Sequence, residues 1–159
     1  MAVTLFEKKS ALGGVVRHVI PEFRIPGTSI DKDTALLEKI GVEIRTNTEI
    51  TSVEALKGEG YTNVVLAVGA YKPGNVRLEA GEAVNALRFL EEFKAKDGNL
   101  DLGKVVAVIG GGNTAMDTAR AAKRTKGVEK VSLVYRRTKR YMPADEEELV
   151  MAVEDGVEF

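Results

Sequence analysis

The sequence contains no cysteine. No disulfide, thiolate metal site, iron–sulfur ligand set or redox dithiol can therefore be built within this chain. Histidine is nearly absent too. His18 is the sole example; with no second imidazole and no Cys–Asp constellation nearby it suits neither a metal site nor a triad, and it is expected in a loop. Net charge is almost nil, 23 Lys and Arg against 24 Asp and Glu, which leaves no electrostatic case for a nucleic-acid or anionic-membrane partner. No apolar run approaches the roughly 20 residues that span a bilayer. Met1–Lys9 lacks the basic start and the apolar length of a signal peptide. There is no repeat at solenoid spacing and no low-complexity stretch. No membrane or nucleic-acid partner is expected, a reducing compartment is compatible, and the expected location is cytoplasmic.

What is present is a globular composition over 159 residues, 44% apolar and 30% charged, enough for one ordinary domain or two small ones. Val3–Phe6 reads as a strand. Gly13-Gly14 interrupts the pattern, and Pro21 and Pro26 bracket an irregular IPEFRIP segment. Ser29–Ile40 has helical spacing, with Ile30, Leu36, Leu37 and Ile40 placed on one face and Gly41 as the stop. Val42–Arg45 reads as a strand, and Asn63–Val68 as a buried strand closed by Gly69. Pro73-Gly74 marks a turn. A second unit follows: a helix over Ala83–Lys96 ended by Asp97-Gly98-Asn99, a strand Lys104–Ile109, a helix Asn113–Lys126, a strand Val131–Tyr135, a helix Ala144–Glu154 introduced by Pro143, and the start of a strand at Val157–Phe159. Strands alternating with helices predict an α/β fold with a mainly parallel sheet.

Gly110-Gly111-Gly112-Asn113-Thr114-Ala115 lies directly between a predicted strand and a predicted helix. It satisfies G-x-G-x-x-G/A, the Rossmann-type dinucleotide fingerprint. Gly110 allows the tight turn, Gly112 lets a pyrophosphate approach the backbone, and Ala115 lets the helix pack close to its strand. The helix N-terminus offers unpaired N–H groups and partial positive charge to the anion. The alternative is a glycine-rich packing turn without a ligand, but three successive glycines cost backbone entropy for no packing reason the sequence displays.

The side chain ending the second strand of such a unit reads the adenosine ribose: an acid suits NAD or FAD, arginine the 2′-phosphate of NADP. Here the strand ends in Arg136 and Arg137, with Lys139 and Arg140 following, which predicts NADP selectivity. Glu129 sits at the wrong end of that strand. The same test on Val3–Phe6 finds Glu7, which suits an unphosphorylated ribose, as in FAD, or is an ordinary exposed acid. Asp117 and Arg120 are three apart on one helix and read as a surface pair. Glu146, Glu147 and Glu148 stand in a first helical turn, where acids complement the dipole. No catalytic residue is named, because no nucleophile has an adjacent base.

VIGGGNTAMDTARAAKR, then VYRRTKRYMPADEEEL and EDGVEF, resemble the NADPH domain of the glutamate synthase small-subunit family. TLFEKKSALGGVVRHVIPEFRIP resembles the FAD-domain segment of that family, and LAVGA the strand that returns beside the flavin. The IPEFRIP spelling is similar to a selenate-reductase-like branch. The resemblance implies two Rossmann-like units, incomplete at both ends here: residues 1–78 a partial FAD-binding domain, residues 79–159 a partial NADPH-binding domain. It implies that Gly110, Gly111, Gly112, Asn113, Thr114 and Ala115 hold NADPH phosphates and neighbouring atoms, and that Arg136, Arg137 and Arg140 hold the 2′-phosphate. It implies that Glu7, Lys8, Gly14, Ala67 and Gly69 contact FAD, and that Asp117 and Arg120 serve the cofactor domain. In that family hydride passes from NADPH to FAD, and electrons leave through iron–sulfur centres on another domain or subunit. Val68 stands where the family often has threonine, and the flavin glycine loop is missing ahead of Val3. The expectation is thus an excerpt of a longer NADPH/FAD oxidoreductase, inactive alone and prone to dimerise through exposed sheet edges. The competing readings are a non-catalytic dinucleotide-binding sensor or scaffold, and an S-adenosylmethionine-binding fold, which the arginine at position 136 disfavours.

Overall fold

The structure, a computed structural model, describes residues 2–72, 74 and 78–159. They form two compact units: Met1–Arg17 with Pro26–Lys72, and His18–Ile25 with Pro73–Phe159. The turn expected at Pro73-Gly74 lies outside the described residues at Pro73.

In the first unit β1 (Val3–Phe6) pairs in parallel with β2 (Val42–Arg45), in a register running from Val3↔Val42 to Phe6↔Arg45. Parallel strands need a crossover, and the long helix α2 (Gly27–Lys39) lies within it. Gly41, at φ 87°, stops that helix as expected. The expected apolar face is corrected: Ile30 is buried and Leu37 half-buried, but Leu36 and Ile40 are exposed. At 100° per residue they stand roughly 80–120° round the helix from Ile30, so the four never shared a stripe.

The first unit holds two short helices that periodicity missed. α1 (Gly14–His18) follows Gly13, and Gly13 and its own first residue Gly14 are both at positive φ. A Cβ on Gly13 would lie 2.8 Å from Arg17 Cβ and 3.0 Å from Ile30 Cγ2. Five residues, two of them valine, give a 3.6-residue period nothing to repeat on. His18 ends this helix rather than sitting in a loop. α3 (Val53–Gly58) is capped by Ser52, whose hydroxyl accepts from Ala55 N–H at 3.2 Å.

Asn63–Val68 is a second correction. It forms no strand, and Val65 and Val68 are 87% and 86% exposed. A strand exists through its ladder; β1 and β2 pair only with each other among the described residues, so this apolar run has no ladder to join.

In the second unit β3 (Val105–Ile109) runs parallel to β4 (Lys130–Val134), in register from Val105↔Lys130 to Ile109↔Val134. The crossover is α5 (Asn113–Arg124). Val108, Val131 and Leu133 are buried with Met116, Ala119 and Ala122 of α5. Two of these three α5 side chains are alanine and the third is unbranched, which lets helix and sheet approach closely. The opposite sheet face carries Val105, Ile109 and Val134, all exposed. The strand expected at Val157–Phe159 is present as one parallel bridge, Ser132↔Glu158.

Two helices of the second unit start later than expected. α4 (Ala86–Ala95) begins after Asn85, whose side chain accepts from the N–H groups of Leu87 and Arg88, so Ala83 lies outside it. α6 (Glu146–Glu154) begins after Asp145 rather than at Ala144. Asp97 and Gly98, at φ 49° and 72°, end α4 as expected. His18–Ile25 belongs to this unit as a strap: Val19 and Pro21 are buried, and Lys94 Nζ donates to Ile20 O at 2.7 Å.

Candidate functional site

The parallel register brings the ends of β3 and β4 together, with Gly110 N–H donating to Val134 O at 3.0 Å. The loop Gly110–Gly112 and the residues after β4 therefore share the C-terminal edge of the sheet, where open α/β sheets bind ligands. Among the described residues the N–H groups of Gly111, Gly112, Asn113 and Thr114 donate no hydrogen bond, while Ala115 and Met116 N–H both reach Gly112 O. Four free donors thus stand at the start of a 12-residue helix, where backbone N–H groups have no intrahelical partner.

The three glycines differ in what holds them to be glycine. Gly110 has φ 151°, and a Cβ there would stand 3.0 Å from Ala115 Cβ. That is the close strand–helix approach expected of Ala115. At Gly111 a Cβ would lie 2.6 Å from the Tyr135 ring. These two glycines thus have packing reasons that the sequence did not display. Gly112 has none: its φ is −99°, and a Cβ would meet only Pro143 Cγ at 3.9 Å, an ordinary contact.

β4 ends at Val134, one residue short of the expected Tyr135, so Arg136 and Arg137 follow it after Tyr135, and Arg140 lies in a short 3-10 turn, Lys139–Tyr141. All three are exposed and make no ion pair or hydrogen bond among the described residues. By contrast Arg24, Arg88, Arg120 and Arg124 of the same unit are all paired. Lys139 Nζ lies 5.3 Å from the Phe159 ring centroid. Glu129 precedes β4 and pairs with Lys104 at 2.8 Å, away from the loop, as expected.

Asp117 and Arg120 are not a surface pair. Both are buried, and each bonds to a different partner. Arg24 of the strap donates to Asp117 Oδ1 at 3.0 Å and pairs with Glu148 Oε1 at 2.6 Å. Arg120 Nε donates to Asp155 Oδ2 at 2.6 Å, and Arg124 also grips Asp155. Phe23 lies 4.8 Å from the Arg120 guanidinium and 4.3 Å from that of Arg124. Burial raises the pKa of Asp117 despite Arg24 beside it. Burial would do the same to Asp155, but hydrogen bonds from Arg124 and Arg120 outweigh it and hold that carboxyl below its ordinary value. Glu148 is only 6% exposed, and its Oε2 has no hydrogen-bond partner. Its role therefore exceeds the dipole complement expected of it, which Glu146 and Glu147 can still supply. Sequence spacing sees only neighbours on one helix, and these partners come from the strap and α6.

In the first unit Glu7 follows β1 and accepts Lys9 N–H on Oε1 at 2.8 Å. Lys8 is exposed, and Gly14 opens α1 at φ 49°. Ala67 and Gly69 lie on the exposed segment after Asn63, where a Cβ on Gly69 would meet nothing within 4 Å. No hydrogen bond or ion pair among the described residues joins Ala67 or Gly69 to Glu7, Lys8 or Gly14. The structure thus gathers the glycine loop and the arginines at one sheet edge. Among the described residues no group of acids and His18 could hold a metal ion, and no helix is long and apolar enough to cross a membrane.

Residues 35–158 match the family model described as pyridine nucleotide-disulphide oxidoreductase. The chain is 47% identical over 162 residues to the protein YgfK of Escherichia coli (strain K12), covering 99% of this chain and 15% of that one. It is 35% identical to the NAD-dependent dihydropyrimidine dehydrogenase subunit PreT of the same organism, covering 98% of this chain and 38% of PreT. The chain thus spans well under half the length of either relative. Among solved structures, Mycobacterium tuberculosis FprA in complex with NADPH superposes with a TM-score of 0.75 at 23% identity, over 98% of this chain and 41% of that one. That likeness shows the fold: α/β with parallel sheets, of the dinucleotide-binding kind.

Proposed function

The chain belongs to the pyridine nucleotide-disulphide oxidoreductase family, and from that premise we propose that its second unit holds NADPH for hydride transfer to FAD in a larger oxidoreductase. The observation that carries this is Gly112. It is a glycine with no internal need to be one, set among four free N–H donors and next to unpaired arginines. An approaching pyrophosphate supplies the missing reason. In this reading the N–H groups of Gly111, Gly112, Asn113 and Thr114 hold the pyrophosphate, with Gly110 and Ala115 shaping the turn. Arg136, with Arg137 and Arg140 at hand, holds the 2′-phosphate. Bound NADPH supplies the hydride; the protein's part is to bind and orient it. PreT is named as NAD-dependent and FprA was solved with NADPH, so the choice of nucleotide rests on the arginines of this chain.

For FAD, Glu7 at the end of β1 suits a ribose hydroxyl, with Lys8, Gly14, Ala67 and Gly69 as the remaining contacts. The first unit contains no G-x-G-x-x-G/A loop among its described residues, so the flavin pyrophosphate finds no cradle in them and no flavin step is assigned to them. The acceptor of the electrons, in this reading, is an iron–sulfur domain or subunit of the larger protein. The domain limits that go with it are 1–78 for the flavin part and 79–159 for the NADPH part, with the strap at 18–25 packed into the NADPH part.

The test is calorimetric titration of the chain with NADPH and NADH. Each charge-assisted hydrogen bond to the 2′-phosphate contributes about 1.5–3 kcal/mol, so a preference of at least about tenfold for NADPH is expected. Arg136→Ala should abolish most of that preference and leave NADH binding unchanged. Equal binding of the two nucleotides by the parent chain refutes the 2′-phosphate reading, and binding of neither refutes the site.

A further inference from the structure

The residues before α6 bind the glycine loop from outside. Ala144 N–H donates to Gly111 O at 3.0 Å. Asp145 N–H donates to Asn113 Oδ1 at 3.0 Å, and Asn113 Nδ2 donates to Asp145 Oδ2 at 2.8 Å. The Tyr135 ring covers Gly111, and its hydroxyl donates to Tyr141 O at 3.0 Å. Asn113 opens α5, and Asp145 immediately precedes α6. The reciprocal pair therefore ties together the starts of two helices that are 32 residues apart in sequence.

Both functional ends of the Asn113 amide are engaged in this pair. The resemblance implies that Asn113 contacts the nucleotide, but each end of its amide already holds one bond to Asp145, which fixes the side chain toward the start of α6. Asp145 is a poor neighbour for a phosphate on charge alone, and it makes no side-chain cap bond to its own helix. What its carboxylate does make is the bond to Asn113. We propose that the Asn113 side chain is a positioning residue rather than a phosphate ligand: with Asp145 it forms a brace that fixes the N–H groups of Gly112, Asn113 and Thr114 for the pyrophosphate. The proposal rests on the NADPH reading above.

The two roles for Asn113 predict opposite signs when Asp145 is removed. Asp145→Ala takes a negative charge away from an anion site. If Asn113 were a ligand, binding of NADPH would stay the same or tighten. With the brace, binding weakens, by about fivefold for the loss of one hydrogen-bonded pair. Exchange of the partners gives the second readout. Asn113→Asp sets two carboxylates face to face, and binding should fall at least about tenfold. Asn113→Asp with Asp145→Asn restores one amide and one carboxylate with the side-chain donor and acceptor exchanged, and binding should return to within about threefold of the parent. Calorimetric Kd values for NADPH read all four proteins, with thermal melts confirming that each is folded. Unchanged or tighter binding by Asp145→Ala overturns the brace, as does an exchange variant that stays as weak as Asn113→Asp. A parent chain that binds neither NADPH nor NADH overturns the NADPH reading instead, and the brace with it, in a pattern neither of those outcomes produces.

Discussion

Replacing Arg24 with methionine removes one cation from two buried acids. Glu148 Oε1 loses its 2.6 Å partner and is left with Arg120, whose nearest nitrogen is 3.8 Å from Oε2. Asp117 loses its 3.0 Å partner. Methionine keeps the apolar stem of the arginine, so packing changes little. Deleting one partner of a buried pair costs about 3–5 kcal/mol. The Arg24 side chain is 27% exposed, so water can reach part of the gap and the lower end, about 3 kcal/mol, is expected. With a urea slope of about 2 kcal/mol per molar, the unfolding midpoint of the second unit should fall by about 1.5 M. Denaturation followed by circular dichroism at neutral pH measures it. The sign against pH follows from Asp117, whose pKa burial already raises. Its protonation on acidification removes an uncompensated charge, so the deficit of the variant shrinks as pH falls towards and through that raised value. Adding Asp117→Asn and Glu148→Gln should recover at least half the loss at neutral pH, since no bare charge then remains. A neutral-pH deficit within about 0.5 kcal/mol, the size of an ordinary surface substitution, refutes the reasoning. So does a deficit that ignores pH.

Two further outcomes are expected. Asp155, held below its ordinary value by Arg124 and Arg120 against the pull of burial, stabilises the fold above the unfolded aspartate value of 3.8. That contribution should be lost as pH falls through its lowered folded value, so Asp155→Asn should be less stable than the parent at neutral pH and converge with it in acid. Urea midpoints between pH 7 and the acid limit test this, and a gap that widens on acidification contradicts it. Gly111→Ala drives a methyl into the Tyr135 ring and should cost about 1–3 kcal/mol. Tyr135→Ala in the same chain should remove most of that added cost, as read by thermal melting, and full additivity of the two would refute the contact.

The strands flanking the glycine loop and the helix after it were legible because they are dense, regular and punctuated. VVAVI ends in glycines, and α5 has its apolar residues at helical spacing. The place of Arg136 just past a strand was legible for the same reason, although the strand ends one residue earlier than its apolar run. The helix starts at Asn85 and Asp145 were missed by two or three residues, because polar side chains there choose the start while apolar spacing runs past it. Asn63–Val68 has the composition of a buried strand, yet composition cannot supply a ladder partner. The Arg24 cluster was invisible for a further reason. Asp117 and Arg120 look like neighbours on one helix, while their partners are Arg24, Glu148 and Asp155, which only the folded topology brings close. The packing need at Gly111 is of the same kind, set by Tyr135 across the sheet edge.

The strap has a consequence for how the second unit is made. Arg24 and Asp117 are separated by 93 residues, and Glu148 and Asp155 come later still. At about 5–20 residues per second of synthesis, Arg24 waits roughly 5–20 s for its first acidic partner. Phe23 waits as long for the guanidinium groups it lies against. Closure of this unit joins Phe23 and Arg24 to residues 117–155, so these contacts carry the loop-closure entropy of a long intervening segment, which helix formation within α5 or α6 does not. A nascent chain halted before α5 would leave an apolar ring and an unmatched arginine in water, which is the state a holding chaperone is built to meet.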